Sequence, residues 1–261
     1  MKKKQLIPVL LVLFGLTSLS FMAKDGVTLR LKPQQGKTYT ITTKANMMTM
    51  MEVQGQMMNQ QQHMETRQSF TATSVTDAES LIETQIEAIK MTISQMGMKL
   101  EYDSENPEKT SPLLAGQTAE MDKVIKKKET VKYDALGNII DSLDLEMSQL
   151  GAAITQLPEE ELSVGSTWDF EKRQSISGTE ITANMTYTVT AISKKSVDVS
   201  ISGNVEGSSE ISGTYEGTAS IHPQTGIVIQ SSIKSNISMT VSEQGLTIPV
   251  TMVGTTTVEV K

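Results

Sequence analysis

Met47, Met48, Met50, Met51, Met57, Met58 and Met64 crowd one stretch of the chain, with His63 among them. Thioether sulfur is a soft metal ligand and imidazole accompanies it well, so this composition has the chemistry to hold Cu(I). Methionine is also the most adaptable apolar side chain, suited to lining a groove for an apolar ligand or filling an irregular core. Strand periodicity sorts the eight residues. From Tyr39 the odd positions read Tyr, Ile, Thr, Ala, Met, Thr, Met, Val, and the even ones are mostly polar until Met48. That alternation predicts a half-buried strand, and Gln54-Gly55 supplies a two-residue hairpin turn where glycine takes positive φ. The turn predicts a register of Met51 with Met58, Ala45 with Met64, Lys44 with Glu65, and Tyr39 with Phe70. A slip by one residue would put apolar against charged, so this register is well specified. Met47, Met51, Met58 and Met64 then share the inner face and are the candidate ligand-lining residues. Met48, Met50, Met57 and His63 share the other face and form the candidate soft-metal set. Ligand spacing does not repeat and glutamines crowd the segment, so no metal site is assigned.

Other chemistry is sparse. The chain has two histidines, His63 and His222, and no cysteine. His63 falls opposite Asn46 on the polar face, and His222 opens a Pro-Gln-Thr-Gly turn. Gly-x-Ser-x-Gly, His-Glu-x-x-His and Gly-x-x-x-x-Gly-Lys are all missing from the sequence, so nucleophile, zinc-hydrolase and phosphate-loop signatures fail. Ser231-Ser232-Ile233-Lys234 matches Ser-x-x-Lys formally, but a strand sends Ser231 and Lys234 to opposite faces. Thirty acidic residues leave a carboxylate pair conceivable without singling one out. We therefore expect a protein that is not an enzyme, with no catalytic residue and no cofactor.

The positioning elements read as strands. Gln244-Gly245 separates Ile227–Glu243 from Leu246–Val260 and predicts a second hairpin pairing Val241 with Ile248, Met239 with Val250, and Ile237 with Met252. Pro249 falls opposite Thr240, and its missing donor suggests an edge or outer position. Further strands are expected at Thr167–Gln174, Glu180–Ile192, Val197–Ser202, Glu210–Glu216 and Thr218–His222. One apolar and one Ser/Thr-rich face suit a sheet with a wet side. Two segments read as helical: Ser111 to about Val124, with Pro112 in its first turn, and 142–157. The second places Leu143, Met147, Leu150, Ile154 and Leu157 on one stripe before Pro158 stops it, and is expected to cover a concave sheet face.

The N-terminus joins Met1-Lys2-Lys3-Lys4 to an apolar run from Leu6 to Leu16 and small residues through Ala23. This is the pattern of a signal peptide, whose apolar core runs about 7–15 residues, and it is short of the roughly 20 needed to span a bilayer. Export to the periplasm or beyond is expected, with no integral span after cleavage. Lack of cysteine removes lipidation at that residue and all disulfides. Net charge is −7, and loss of the leader's lysines makes it more acidic, which argues against nucleic acid as a partner. Lys126-Lys127-Lys128 reads as a solvated helix-end or strand-edge cluster.

The mature chain reads as written twice. Gly36-Lys37-Thr38-Tyr39 and the turn Tyr133 to Ile140 are echoed by Gly165-Ser166-Thr167-Trp168 and His222 to Ile229. Phe70 to Val75 is echoed by Tyr187 to Ile192. The first copy is longer and carries the methionine hairpin, so if one half is specialised for binding, the first is expected to be that half. The organisation expected is a leader at 1–23, a first β-rich half at 24–157, and a second at 158–261, forming one compact unit. The fold class is all-β and mainly antiparallel, as a strongly curved sheet or half-barrel or a sandwich of two halves, with one or two helices from residues 111–157.

On Gly36 to Tyr39, Met96 to Ser104, Tyr133 to Ile140, Leu157-Pro158, Val164 to Trp168 and Gly217 to Gly226, the chain resembles a bacterial exported family of all-β proteins with no assigned activity. That resemblance implies export and fold, and transfers no catalytic residue. A looser likeness, of architecture alone, is to the helix-covered half-barrels of periplasmic lipoprotein and lipid carriers. The functional expectation is a non-enzymatic binding protein for an apolar or lipid-like ligand. A cell-envelope structural or protein-interaction module is the alternative, and copper binding a minor one.

Overall fold

Long alternating segments with only brief turns between them force a meander, because each strand must pair with the next to satisfy its backbone. The computed structural model describes residues 26–53, 55–142, 153–176, 179–207, 211–243 and 246–261. Its strands are β1 (Thr38–Val53), β2 (Gln56–Val75), β3 (Glu79–Gln95), β4 (Met98–Asp103), β5 (Lys128–Asp134), β6 (Ile139–Ser142), β7 (Thr167–Ile176), β8 (Thr179–Ile192), β9 (Val197–Glu206), β10 (Ile211–Ile221), β11 (Val228–Glu243) and β12 (Leu246–Val260). They form one 12-stranded antiparallel sheet in the order β6-β5-β3-β2-β1-β12-β11-β10-β9-β8-β7. β4 and β5 share the far edge of β3, pairing with Lys90–Gln95 and Glu79–Gln85 respectively. The sheet is open, with β6 and β7 at its edges. It is continuous and is not a sandwich.

Both hairpin registers read from the sequence are those observed. Met51 faces Met58, Ala45 faces Met64, Lys44 faces Glu65 and Tyr39 faces Phe70. Val241 faces Ile248, Met239 faces Val250 and Ile237 faces Met252. The position of Pro249 differs from expectation. β12 lies inside the sheet between β11 and β1, and its pairing with β1 ends at Met51 with Val250. Pro249 is one residue past that ladder, so its missing N–H is tolerated in an interior strand.

The duplication holds at the level of single hydrogen bonds. β1, β2, β3, β5 and β6 correspond to β7 through β11. Gly36 and Gly165 both take positive φ (77° and 90°), and donate to Ala72 O and Val189 O at 2.8 Å in each case. The strand register shifts at equivalent places, between Ala72 and Ser74 and between Val189 and Ala191. The residue bulged out, Thr73 or Thr190, donates its hydroxyl across to Leu81 O or Asp198 O at 3.1 and 3.0 Å. Tyr39 stacks on Phe70 at 4.7 Å, and Trp168 on Tyr187 at 5.0 Å. The first copy is longer because β4 and a helix, α1 (Ala115–Val124), are inserted between its third and fourth corresponding strands. β12 has no counterpart, and it joins the two halves by pairing with β1.

The main core sits at one end of the sheet, where two straps cross its concave face. Residues 26–33 supply Leu29 and Leu31, and residues 153–162 supply Ala153, Ile154, Leu157 and Leu162, all at most 5% exposed. Leu31 N donates to Ala135 O and Leu157 N to Leu136 O, each at 2.8 Å, while Lys32 N donates to Thr225 O at 3.0 Å. The two repeat-closing glycines lie beneath the straps. A Cβ on Gly137 would fall 2.5 Å from Thr155 O, and one on Gly226 would fall 2.5 Å from Arg30 O. Each half's closing turn is thus clasped by the strap that leads into the other half.

Three expectations change. Residues 153–157 are an irregular strap with no helical run, since their backbone bonds go to the turns they cross; Leu143, Met147 and Leu150 lie outside the described residues, as does the leader expected at 1–23. The α-helix among the described residues, α1, preceded by a 3-10 turn at Pro112–Leu114, packs only over the β3–β4 edge of the concave face. The two strands expected at Glu210–Glu216 and Thr218–His222 are the single strand β10. Gly217, read as a break, sits inside the strand because its Cβ would fall 2.3 Å from Ser232 O. The basic run after α1 is a helix end as expected, with Lys126 at φ 64° and Lys128 paired to Glu83 at 2.8 Å.

Candidate functional site

The straps divide the concave face into a closed end and an open end. The hairpin turns β1–β2, β3–β4, β7–β8, β9–β10 and β11–β12 all lie at the open end, as the pairing registers require. Inner-face residues continue there in rows across the sheet. One row runs Gln62, Met47, Gly254, Ser235, Tyr215, Gly203, Met185, Phe170, and the next holds Thr49, Met252, Ile237, Gly213, Val205, Ala183. A third row adds Met58, Met51, Val250, Met239 and Ile211. Ile181, Val205 and Ile237 are buried, with Tyr215, Ile211, Met239 and Met252 half-buried around them.

Glycines shape this face. A Cβ on Gly203 would meet Asn184 O at 2.4 Å, and one on Gly213 would meet Asn236 O at 2.6 Å. With Gly217 and Gly254 they bare the inner side of β9, β10 and β12, which lets neighbouring backbones close in and the sheet curl. Tyr215, between Gly213 and Gly217, fills part of the gap. A space of about 830 Å³ lies against Phe170, Met185, Gly203 and Tyr215, with Gln156 of the strap beside it. Polar alternates of the same strands also border it, so one flank is wet. By contrast, the recess between β3 and the end of α1 measures about 10 Å³, room for about one water.

The predicted residues distribute unevenly. Met51 and Met58 face each other directly, both half-buried, and Met47 faces Gln62 with 37% of its surface exposed. Met64 is drawn away into a separate cluster beneath α1 with Ile89, Met91, Tyr102 and Leu114. The Tyr102 hydroxyl donates to Asp122 of α1 at 2.6 Å. Burial first, and then that bond, raise its pKa well above the ordinary tyrosine value.

The soft-metal set shares the convex face but does not converge. Met48 lies opposite Gln61, Met50 opposite Asn59, Met57 opposite Glu52 and His63 opposite Asn46. His63 and Met57 sit six residues apart on one strand, about 20 Å at about 3.4 Å per residue, so the four cannot bind one ion. His63 Nδ1 is bonded to Asn46 Oδ1 at 2.7 Å. His222, at the closed end, accepts from Gln224 N at 3.3 Å. Among the described residues, no three His, Cys, Asp or Glu side chains gather to hold a metal.

The sequence reading missed Phe170, Met185 and Tyr215, and with them the contribution of the second half to the open face. Their alternation is visible in the sequence; their convergence depends on how β7 to β10 are stacked. The open space borders residues of the second half.

No family model matches the chain, and no curated protein does. Among solved structures it is similar to lipovitellin, in a structure described for its lipid–protein interactions, at 10% identity and a TM-score of 0.49 over 87% of this chain. The chain spans 25% of the length of that lipovitellin chain. It is also similar to the translocator domain of the autotransporter NalP from Neisseria meningitidis, at 9% identity and a TM-score of 0.33, covering 86% of this chain and 88% of that one. Both likenesses are remote, and no residue role is taken from either. Among the described residues no helix is long and apolar enough to cross a membrane.

Proposed function

We propose that the protein is an exported, non-enzymatic binding protein that takes an apolar or lipid-like ligand on the open part of its concave face. The observation that supports this is that the inner face stays apolar beyond the plugged end. Met47, Met51, Met58, Met239, Val250 and Met252 lie there, while α1, the α-helix among the described residues, packs on β3 and β4 instead. A soluble sheet turns one face to its core and one to water; here the main core lies at the strapped end, and beyond a smaller buried cluster of Ile181, Val205 and Ile237 the apolar face continues in half-buried Met51, Met58, Met239 and Met252. The stretch from Ala45 to Val53 is about 27 Å long at about 3.4 Å per residue, a length suited to an extended acyl chain. Flexible thioethers tolerate chains of varied shape, and burial with few polar contacts supplies the affinity.

Titrating delipidated protein with a fluorescent fatty-acyl probe tests the reading. Saturable binding is expected, weakened about tenfold in a Met51→Gln, Met239→Gln double variant, since about 1.4 kcal/mol of lost apolar contact corresponds to tenfold. No binding by wild type overturns the proposal. The free edges β6 and β7 then make strand addition to a cell-envelope protein the reading that remains.

A further inference from the structure

The open end carries methionines that the core does not account for, with Met57 on the convex face, Met96 in a turn, and Met98 at the outer end of the inner face opposite Gln95. Met57 is 64% exposed, Met96 75% and Met98 56%, and all three lie at hairpin turns. Behind them on the convex face, Met48 (39% exposed) sits directly opposite Val253 (42%). Lower on the same face of β1 the residues are Thr40, Thr42, Lys44 and Asn46, so the change from polar to apolar coincides with approach to the open end. A sheet with one wet side needs no apolar residue there. The β3–β4 turn sharpens the point. Met96 and Gly97 both take positive φ, 50° and 78°, a pair of conformations that favours Asn or Asp followed by Gly. A methionine at that first position costs local stability and, at 75% exposure, returns no burial within the chain.

From this we infer that the open end docks on an uncharged lipid surface, with Met57, Met96 and Met98 entering it. At and beside the methionine-bearing turns, residues 47–62, 94–98 and 246–253 hold one charged side chain, Glu52, and no Lys or Arg, while the other open-end turns carry only acidic charge, as in Glu180, Glu206 and Glu243. Lys99, just behind, is ion-paired with Glu101. An acidic chain of net charge −7 is repelled by an anionic bilayer, which leaves zwitterionic or neutral lipid. The same segments contain no Trp, Tyr, Phe or Arg, the anchors on which protein interfaces concentrate their energy, so a protein partner or a second copy fits less well. The β3–β4 turn is level with Gln60, whose partner is Gln95, so the β1–β2 hairpin stands about 13 Å taller at about 3.4 Å per residue. A tilted approach brings both turns to one plane, at the insertion depth of about 5–10 Å usual for interfacial segments. Docking in this way would point the mouth of the concave face at the lipid. The inference rests on the exposed turns and goes beyond the ligand proposal without requiring it.

Flotation with phosphatidylcholine vesicles tests it, using full chains with identical N-termini. Wild type is expected to float, insensitive to salt and with no gain from added phosphatidylglycerol. Met57→Gln, Met96→Gln, Met98→Gln combined is expected to reduce partitioning by about tenfold or more while keeping its thermal transition, and Met57→Gln, Met96→Gln, which leaves the inner face untouched, also keeps its affinity for the soluble acyl probe. Failure of wild type to float, equal flotation of the triple variant, or dependence on anionic lipid overturns the inference. So does a concentration-dependent dimer in wild type that the triple variant lacks, which would assign the rim to a second copy. Loss of probe binding with flotation intact would sink the ligand proposal alone.

Discussion

Single glycines carry opposite meanings in this chain, and the difference lies in what surrounds a missing Cβ. Gly217 in β10 has Ser232 O at 2.3 Å and Ile233 Cα at 2.9 Å from the Cβ position, whereas Gly116 in α1 has nothing within 4 Å. Gly217→Ala must push a backbone aside in a curled sheet and is expected to destabilise by about 1–3 kcal/mol. Gly116→Ala adds no contact and removes backbone freedom from an exposed helical position, so a gain of up to about 1 kcal/mol is expected. Urea unfolding of the two variants measures both signs. In the sequence Gly217 falls between two expected strands, and only the structure places it inside β10.

Elements show which interactions were local. The β1–β2 and β11–β12 registers follow from a short turn and alternation, both contained in about 35 contiguous residues, and they were legible for that reason. The placement of α1 was not. Its position depends on Tyr102 of β4 reaching Asp122 at 2.6 Å and on Leu114 and Met121 packing against Ile89 and Met91. Asp122 is exposed and can rebind water, so Tyr102→Phe is expected to cost only about 0.5–1.5 kcal/mol. The cost should be local: amide exchange across 115–124 accelerates while β11 and β12 keep wild-type protection. Uniform acceleration would mean that α1 is part of the global unit.

At the scale of the whole molecule, the two halves cannot be separated without breaking the core. β12 of the second half pairs with β1 of the first over Ile41–Met51, and each half's strap covers the other's closing glycine. One cooperative transition is therefore expected. Fluorescence of Trp168, the only tryptophan, reports the second half, where its ring stacks on Tyr187 and its Nε1–H donates to Gln156 O at 3.1 Å. That signal should unfold at the same urea concentration as far-ultraviolet dichroism of the whole sheet. Two separated midpoints would show that the halves are independent domains.

Period-two alternation, repeated glycines and Gly-containing turns determined by themselves that this chain is all-β, duplicated, and correctly paired within its hairpins. Those features act over neighbouring residues, where backbone sterics and the two faces of a strand leave few options. The order in which hairpins join, the conversion of 153–157 from an expected helix into a strap, and the gathering of Phe170, Met185 and Tyr215 around one space depended on tertiary structure. Each depends on contacts between residues far apart in the chain, where a strap's backbone bonds and a glycine's bare face outweigh local pattern. The methionines show both levels at once: alternation assigned their faces, but only the assembled sheet decided that Met64 is covered by α1 and that Met57, Met96 and Met98 are left at the open end.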